Sequence, residues 1–137
     1  MTVASDTVAR FNCLYLGDSV LQKVVIDVAA GECVLEFHAG KVLHAENENI
    51  FEPVEKFAPA RLRLLELTAI SCDGGGYQLN STVVDFGAEL GANESLVFYF
   101  DLTGGWDPDA FVVRLKFVAK NFSFGGVKVR FGGRAES

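Results

Sequence analysis

The sequence predicts an all-β protein, folded as an antiparallel β-sandwich or a partly closed barrel of about seven to nine strands with little helix. Near the start, apolar residues alternate with polar ones over 24–28 and 33–37, on either side of a turn at 29–32. Near the end, the same alternation runs over 111–117 and 127–131. Successive side chains of a strand point to opposite faces, so these patterns indicate half-buried antiparallel strands. A sandwich and a barrel fit them equally well.

The first part of the chain predicts one hairpin. Residues 1–10 are expected to form a polar lead-in, and 11–16 a first short strand. Residues 17–19 (Gly-Asp-Ser) give a turn signal. Strands over 21–29 and 32–38 then form the hairpin, because each alternates and a glycine-containing turn joins them.

The segment after the hairpin is the least regular part of the sequence. A turn is expected at 39–40 and a short strand at 41–44. Residues 45–60 are rich in acidic side chains and contain Pro53 and Pro59. This is the only segment expected to hold a helical turn, which the prolines would keep short.

From residue 61 onward, predicted strands alternate with turn signals. The strands are expected at 62–72, 77–86, 95–102, 110–120 and 127–131. Glycine-rich or polar stretches separate them, at 73–76, 87–93, 103–109 and 122–126. The strand at 95–102 is apolar on both faces, which predicts a central strand covered on both sides.

The composition indicates a single globular domain over 1–137. Half of the residues are hydrophobic and 22% are charged, so a sizeable core is expected and disorder is not. The three cysteines, Cys13, Cys33 and Cys72, are odd in number and lack Cys-x-x-Cys spacing, so we expect free thiols and a cytoplasmic location. No stretch approaches the ~18 apolar residues of a membrane-spanning helix, so no membrane partner is expected.

Charge is unevenly distributed along the chain. Residues 1–109 carry 17 acidic and 6 basic side chains, whereas 110–137 carry 1 and 6, which together give the net −6. An acidic chain is not expected to bind nucleic acid. The C-terminal cations that share strand faces are Arg114, Lys116, Lys128 and Arg130. They predict either a docking surface for an acidic partner or ion pairs with carboxylates such as Asp85, Asp101, Glu66 or Glu36.

A second candidate binding site is the loop that contains the only tryptophan. Trp106, Asp107 and Asp109 follow two glycines and flank Pro108. Tryptophan stacks on ligands and is common at binding hot spots, while the two carboxylates would accept hydrogen bonds. The alternative is an ordinary turn, in which the tryptophan packs on the core and an aspartate caps the backbone.

No pattern in the sequence indicates an enzyme, a metal site or a cofactor. His38 and His44 are predicted as surface histidines, because Gly40 interrupts the strand that would place both on one face. The glycines at 74–76 lie between strands, whereas a phosphate-binding loop leads into a helix. There is no Gly-x-Ser-x-Gly motif, and no histidine is placed near a cysteine by a known motif.

The stretch Leu16-Gly-Asp-Ser-Val-Leu-Gln-Lys-Val-Val-Ile-Asp27, running into the hairpin, is similar to the opening of several small β-rich bacterial families. Some of these are immunity proteins of polymorphic toxin systems, and others are domains of unknown function. The likeness covers about residues 14–37, with Gly17 where those openings often have histidine. It implies a bacterial protein that works by binding rather than by chemistry.

We therefore predict a non-catalytic protein that docks another protein, as an immunity-like or accessory domain. The alternative is a β-sandwich that binds a small ligand or carbohydrate through Trp106. Self-association as a homodimer is also expected, because Phe98, Tyr99 and Phe100 place aromatic surface on both faces of one strand.

Overall fold

The computed structural model of the protein describes residues 3–42, 50–52, 58–74, 81–104 and 111–126. The described residues form one helix, ten strands and a short 3₁₀ helix at Ala92–Glu94. In chain order the main elements are α1 (Val3–Phe11), β1 (Leu14–Tyr15), β2 (Leu21–Asp27), β3 (Glu32–Val42), β4 (Ile50–Glu52), β5 (Ala58–Leu65), β6 (Ala69–Asp73), β7 (Thr82–Leu90), β8 (Leu96–Gly104), β9 (Phe111–Ala119) and β10 (Asn121–Gly126).

The strands form two sheets that enclose the core. In sheet one, β1 and β2 lie along one edge of β3, and β5, β10 and β4 follow on the other side. Sheet two has the order β6-β9-β8-β7. All described pairs are antiparallel except that of β10 with the short β4. The predicted all-β class is confirmed, including the first hairpin, which is formed by β2 and β3.

Two long strands bend from one sheet into the other at a shared corner. β5 continues into β6 through Glu66, whose positive φ of 54° makes the bend, and β9 continues into β10 through Lys120. The backbone N–H of Lys120 donates to the carbonyl of Leu65 at 3.0 Å, so the two strands stay paired at the corner. The prediction of one strand over 62–72 is therefore wrong, because β5 ends at Leu65 and β6 begins at Ala69.

A second junction joins the opposite edges of the two sheets. Between β1 and β2, Val20 bonds to both sheets: its carbonyl accepts the His38 N–H of β3 at 3.0 Å, and the residue also pairs with Thr82 at the start of β7. Backbone N–H groups of Asp18 and Val83 donate across this junction at 2.8 Å, and that of Leu21 donates at 3.0 Å to Ser81. The sandwich is thus closed at this edge, as a partly closed barrel.

Helix α1 packs against β7 and β10 and fills the space between the sheets. Phe11 is fully buried, with edge-on contacts to Phe98 and Phe122 at ring-centroid distances of 5.0 and 5.2 Å. The prediction of a polar lead-in over 1–10 is wrong. Ala4, Thr7 and Phe11 are buried at the spacing of one helical face, which forms an amphipathic stripe.

Segment 45–60 was expected to be the only one with helix, and its described part contains no helix. Within it, Ile50–Glu52 forms β4 and Ala58 begins β5, while 45–49 and 53–57 lie outside the described residues. The helix that the structure does contain is α1, whose buried residues meet the core. Burial of that face outweighs the weak helix signal of a nine-residue segment.

Two predicted breaks are strands in the structure. β3 runs through 39–40 with a bulge, and a Cβ at Gly40 would lie 2.9 Å from that of Ala60, so glycine is needed there for close packing. The expected break at 122–126 is β10, whose Phe122 and Phe124 alternate into the core. The predicted strand at 127–131 lies outside the described residues.

The central strand of sheet two is β8, as predicted, with β7 and β9 as neighbours. Phe98 and Phe100 are fully buried on its inner face, whereas Val97 and Tyr99 are half-buried on its outer face. The prediction that this strand is fully covered on both faces is therefore wrong. Phe98 and Phe100 therefore offer no surface for self-association, whereas Tyr99 is half-buried on the outer face, and the homodimer stays a prediction.

Replacement of Phe11 by alanine tests the docking of α1. We expect Phe11→Ala to lower the free energy of unfolding by about 3–5 kcal/mol, because it empties a fully buried aromatic site. Val84→Ala is the matched control: Val84 is 53% exposed, and its loss should cost less than about 0.5 kcal/mol. Urea denaturation measures both. Equal costs would contradict the packing of Phe11.

All three cysteines are free, and Cys33 lies fully buried in the inner face of β3. Burial raises the pKa of the Cys33 thiol from 9.0 to about 11. A thiol with a raised pKa stays neutral in the folded protein after the unfolded chain has begun to ionise. The stabilising contribution is therefore complete below pH 9 and is lost as the pH rises towards 11.

Thiol labelling tests this environment. At pH 8 we expect a maleimide reagent to modify Cys13 and Cys72, which are half-buried, and to leave Cys33 unmodified until the protein unfolds. The loss of stability between pH 9 and 11 should be smaller in Cys33→Ala than in the wild type. Rapid labelling of Cys33 in the folded protein, read by mass spectrometry of peptides, would refute its burial.

Candidate binding surface

Of the seven residues predicted for binding, the structure describes two. Trp106, Asp107, Asp109, Lys128 and Arg130 lie outside the described residues, as does His44. The other two, Arg114 and Lys116, lie on the outer face of β9, as their spacing predicts.

Arg114 is held by a carboxylate and an aromatic ring of the neighbouring strand. Its Nε and Nη2 donate to the two carboxylate oxygens of Asp101 at 2.7 and 2.9 Å. The guanidinium carbon lies 4.5 Å from the ring centroid of Tyr99. The hydrogen bond to Asp101 raises the pKa of Arg114. Burial, followed by the charge of Asp85, raises the pKa of Tyr99.

The Tyr99 ring lies across Gly87 of β7. A Cβ at Gly87 would lie 2.7 Å from the Tyr99 hydroxyl oxygen, so glycine leaves the space that the ring fills. The ring thus lies between the backbone of β7 and solvent, and its face contacts the guanidinium of Arg114. The predicted turn at 87–93 is therefore partly wrong, because β7 continues through Gly87 to Leu90.

Lys116 is also paired. Its Nζ lies 2.8 Å from an oxygen of Asp73 on the adjacent β6. On the outer face of sheet two the described charged residues are two cations, Arg114 and Lys116, and four carboxylates, Asp73, Asp85, Glu89 and Asp101. Arg114 thus pairs with one of the predicted carboxylates, Asp101, whereas Lys116 pairs with Asp73, which was not among them. The described part of this face is acidic.

A different basic surface lies on the outer face of sheet one. A shallow groove of about 300 Å³ there is formed by residues of β2, β3 and β5, namely Lys23, Val25, Val34, Glu36, Arg61 and Arg63. We call it the sheet-one groove. The register places Val25 opposite Val34, and Val34 opposite Arg63, so the valines form an apolar strip beside the cations.

The charges of the sheet-one groove are partly balanced. An oxygen of Glu36 lies 3.3 Å from Arg61 and 3.8 Å from Lys23, and an oxygen of Glu32 lies 2.8 Å from Arg63. Among the described residues of the groove and their ion-pair partners, three cations therefore face two carboxylates, a local net charge of +1 in a chain of −6. The side chains of Lys23 and Arg63 are 57% and 44% exposed, so both are accessible from solvent.

The sequence contained a signal for this groove. Arg61 and Arg63 alternate with the buried Leu62 and Leu64, which is the period-two pattern of a strand with one charged face. The remaining members come from β2 and β3, and only the observed register brings them beside β5.

Ser19 and His38 meet at the junction between the sheets. The Ser19 hydroxyl oxygen lies 3.5 Å from Nδ1 of His38, a pairing of the type found in nucleophilic catalysis. Here, however, Nδ1 accepts the Val20 N–H at 2.9 Å, and the Ser19 oxygen accepts the Ala39 N–H at 3.1 Å. Ser19 is also 1% exposed. The pair therefore holds the backbone of the junction together. His38 is exposed as predicted, but it lies in β3, an interior strand of sheet one, rather than at a sheet edge.

Among the described residues, no three His, Cys, Asp or Glu side chains lie close enough together to hold a metal ion. In the same part of the chain, no helix is long and apolar enough to cross a membrane.

Ser19→Ala tests the role of the junction. The substitution removes the acceptor of a part-buried N–H, and we expect it to lower the free energy of unfolding by about 1–3 kcal/mol. Ser71→Ala, at an exposed site on β6, should change it by less than about 0.5 kcal/mol. Thermal and urea unfolding provide the comparison. A Ser19→Ala protein as stable as the control would show that the junction does not depend on this hydroxyl.

No family model, no curated protein and no solved structure matches this chain.

Proposed function

We propose that this chain is a non-catalytic, cytoplasmic binding protein that docks an acidic partner protein through the sheet-one groove. The observation that carries the proposal is the cluster of Lys23, Arg61 and Arg63 beside an apolar strip on an open sheet face. Arginines next to apolar side chains are typical of protein interfaces.

The shape of the groove suits a protein surface. Its volume of about 300 Å³ equals the lower limit of small-molecule pockets. Side chains from all three strands line it without enclosing it, so it presents a broad face rather than a cavity. Val25 and Val34 offer apolar contact area that excludes water around a charged contact.

The charge of the groove selects an acidic partner. Glu36 and Glu32 hold Arg61 and Arg63 in fixed positions, so little side-chain entropy is lost when a second carboxylate binds. Arginine presents several donors in a planar fork and binds carboxylates well. Three cations with two nearby carboxylates are too few for tight, salt-dependent binding of nucleic acid.

Two further observations support the cellular setting of this proposal. The resemblance over 14–37 to families that include immunity proteins supports a toxin domain as the acidic partner. Three free cysteines support a cytoplasmic location, because free thiols persist in reducing compartments. The small-ligand alternative depends on Trp106, Asp107 and Asp109, which lie outside the described residues.

Charge reversal in the groove tests the proposal. Arg63→Glu leaves two cations and three carboxylates in place of three cations and two carboxylates, so the local net charge changes from +1 to −1. Binding to acidic proteins should therefore weaken by about tenfold or more. Lys120→Glu, an exposed cation at the corner between β9 and β10, is the control with the same change of net charge.

Wild type and both variants are immobilised and exposed to extract from the source cells, and bound proteins are quantified by mass spectrometry. We expect the wild type and Lys120→Glu to retain the same acidic proteins and Arg63→Glu to lose them. Added salt should release these proteins from the wild type. Circular dichroism confirms that each variant is folded. If Arg63→Glu retains the same proteins in the same amounts, the sheet-one groove is not the docking site.

A further inference from the structure

The most exposed apolar side chains in the described part of the chain include three from one short stretch. Val25, Ile26 and Val28 at the end of β2 are 44%, 47% and 87% exposed. Val25 lies on the outer face and Ile26 on the inner face of the strand, so apolar side chains are exposed on both sides of the sheet here.

The stretch also has free backbone groups. Among the described strands, β2 pairs only with β3, so its other edge is open and alternate N–H and C=O groups point away from the sheet. Towards the N-terminus, this edge is occupied as far as Leu21, whose N–H donates to Ser81. At the other end, the turn begins after Asp27, whose carboxylate accepts the Ala30 N–H at 3.0 Å. The open edge is therefore the seven residues 22–28, with Val25 at its midpoint.

The side chains of this edge complement a second copy of themselves. If two β2 strands pair antiparallel about a two-fold axis at Val25, Lys23 lies opposite the second copy's Asp27 on the outer face, twice. On the inner face, Val24 lies opposite the second copy's Ile26. Cross-strand pairs of opposite charge and of β-branched residues both stabilise a sheet.

Other registers lose this match. Pairing preserves the faces of the sheet only when the axis passes through a residue position. An axis at 24 or 26 places a charge opposite Val25, whereas an axis at 23 or 27 places two lysines or two aspartates opposite each other. The midpoint of the open edge is thus the one axis that pairs both charges.

We propose that the protein forms a homodimer in which β2 pairs antiparallel with β2 of a second copy about a two-fold axis at Val25. Sheet one then continues across the dimer. A groove of about 270 Å³, which Ile26 lines together with Leu67 of the β5–β6 connection and Ile70 of β6, opens beside this edge. In the proposed dimer, the second copy's Val24 would lie at its mouth. The inference does not depend on the proposed docking function, because the dimer forms through the backbone of the strand edge, although Lys23 and Val25 also line the sheet-one groove.

A charge-swap experiment tests both the dimer and its register. Wild type should sediment in a concentration-dependent manner towards twice the 14.8 kDa of one chain. Lys23→Asp and Asp27→Lys should each weaken the dimer by about tenfold or more, because each places like charges opposite each other twice. An equimolar mixture of the two variants should regain wild-type affinity, since both pairs are then attractive in the mixed dimer.

Lys120→Asp, which changes the net charge as Lys23→Asp does, should leave the dimer intact. Circular dichroism verifies that the variants are folded. Wild type that remains at 14.8 kDa at its highest soluble concentration overturns the proposal. So does a dimer that both single variants preserve, or one that the mixture fails to restore, because another surface or register would then be responsible.

Discussion

The structure depends on the two places where the chain crosses from one sheet to the other and stays hydrogen-bonded as it does so. At one end, β5–β6 and β9–β10 bend together, and the Lys120 N–H keeps them paired through the corner. At the opposite edge, backbone bonds of Asp18 and Val83 connect the β1–β2 segment to β7. Because these junctions fix the sheets relative to each other, the inner faces can be packed with phenylalanine and leucine, and the outer faces are free to carry charge.

The two outer faces differ although each bears paired charges. On sheet two, Arg114 has both a bidentate carboxylate and an aromatic ring, which leaves little of its charge to a partner. On sheet one, Lys23 and Arg63 keep large exposed fractions, and one carboxylate is shared between two cations. The exposed fractions of the Arg63 and Arg114 side chains are nearly equal, 44% and 42%, so accessibility does not separate the two faces. The faces differ instead in the carboxylates around the described cations, which number four beside two cations on sheet two and two beside three cations in the sheet-one groove.

The elements that the sequence predicted well are those in which local pattern and burial coincide. The hairpin of β2 and β3 and the strand β9 alternate cleanly, because one face of each is buried. Helix α1 was missed because it is short and contains Ser5, Asp6 and Arg10, and its stripe of Ala4, Thr7 and Phe11 is weakly apolar. The corner at Glu66 has neither glycine nor proline to mark it. The sheet-one groove could not be predicted as a site, because its members lie on three strands and register is a tertiary property.

Helix α1 has a consequence for how the chain reaches this structure. Its Phe11 lies near the beginning of the chain, whereas its ring partners Phe98 and Phe122 lie towards the end. During synthesis, α1 is made before β8 and β10, so its apolar face stays uncovered until those strands are present. Contacts between residues so distant in sequence carry a large loop-closure cost and slow the folding of β proteins. The core around Phe11 therefore closes only after β8 and β10 have been made, although α1 precedes both in the chain.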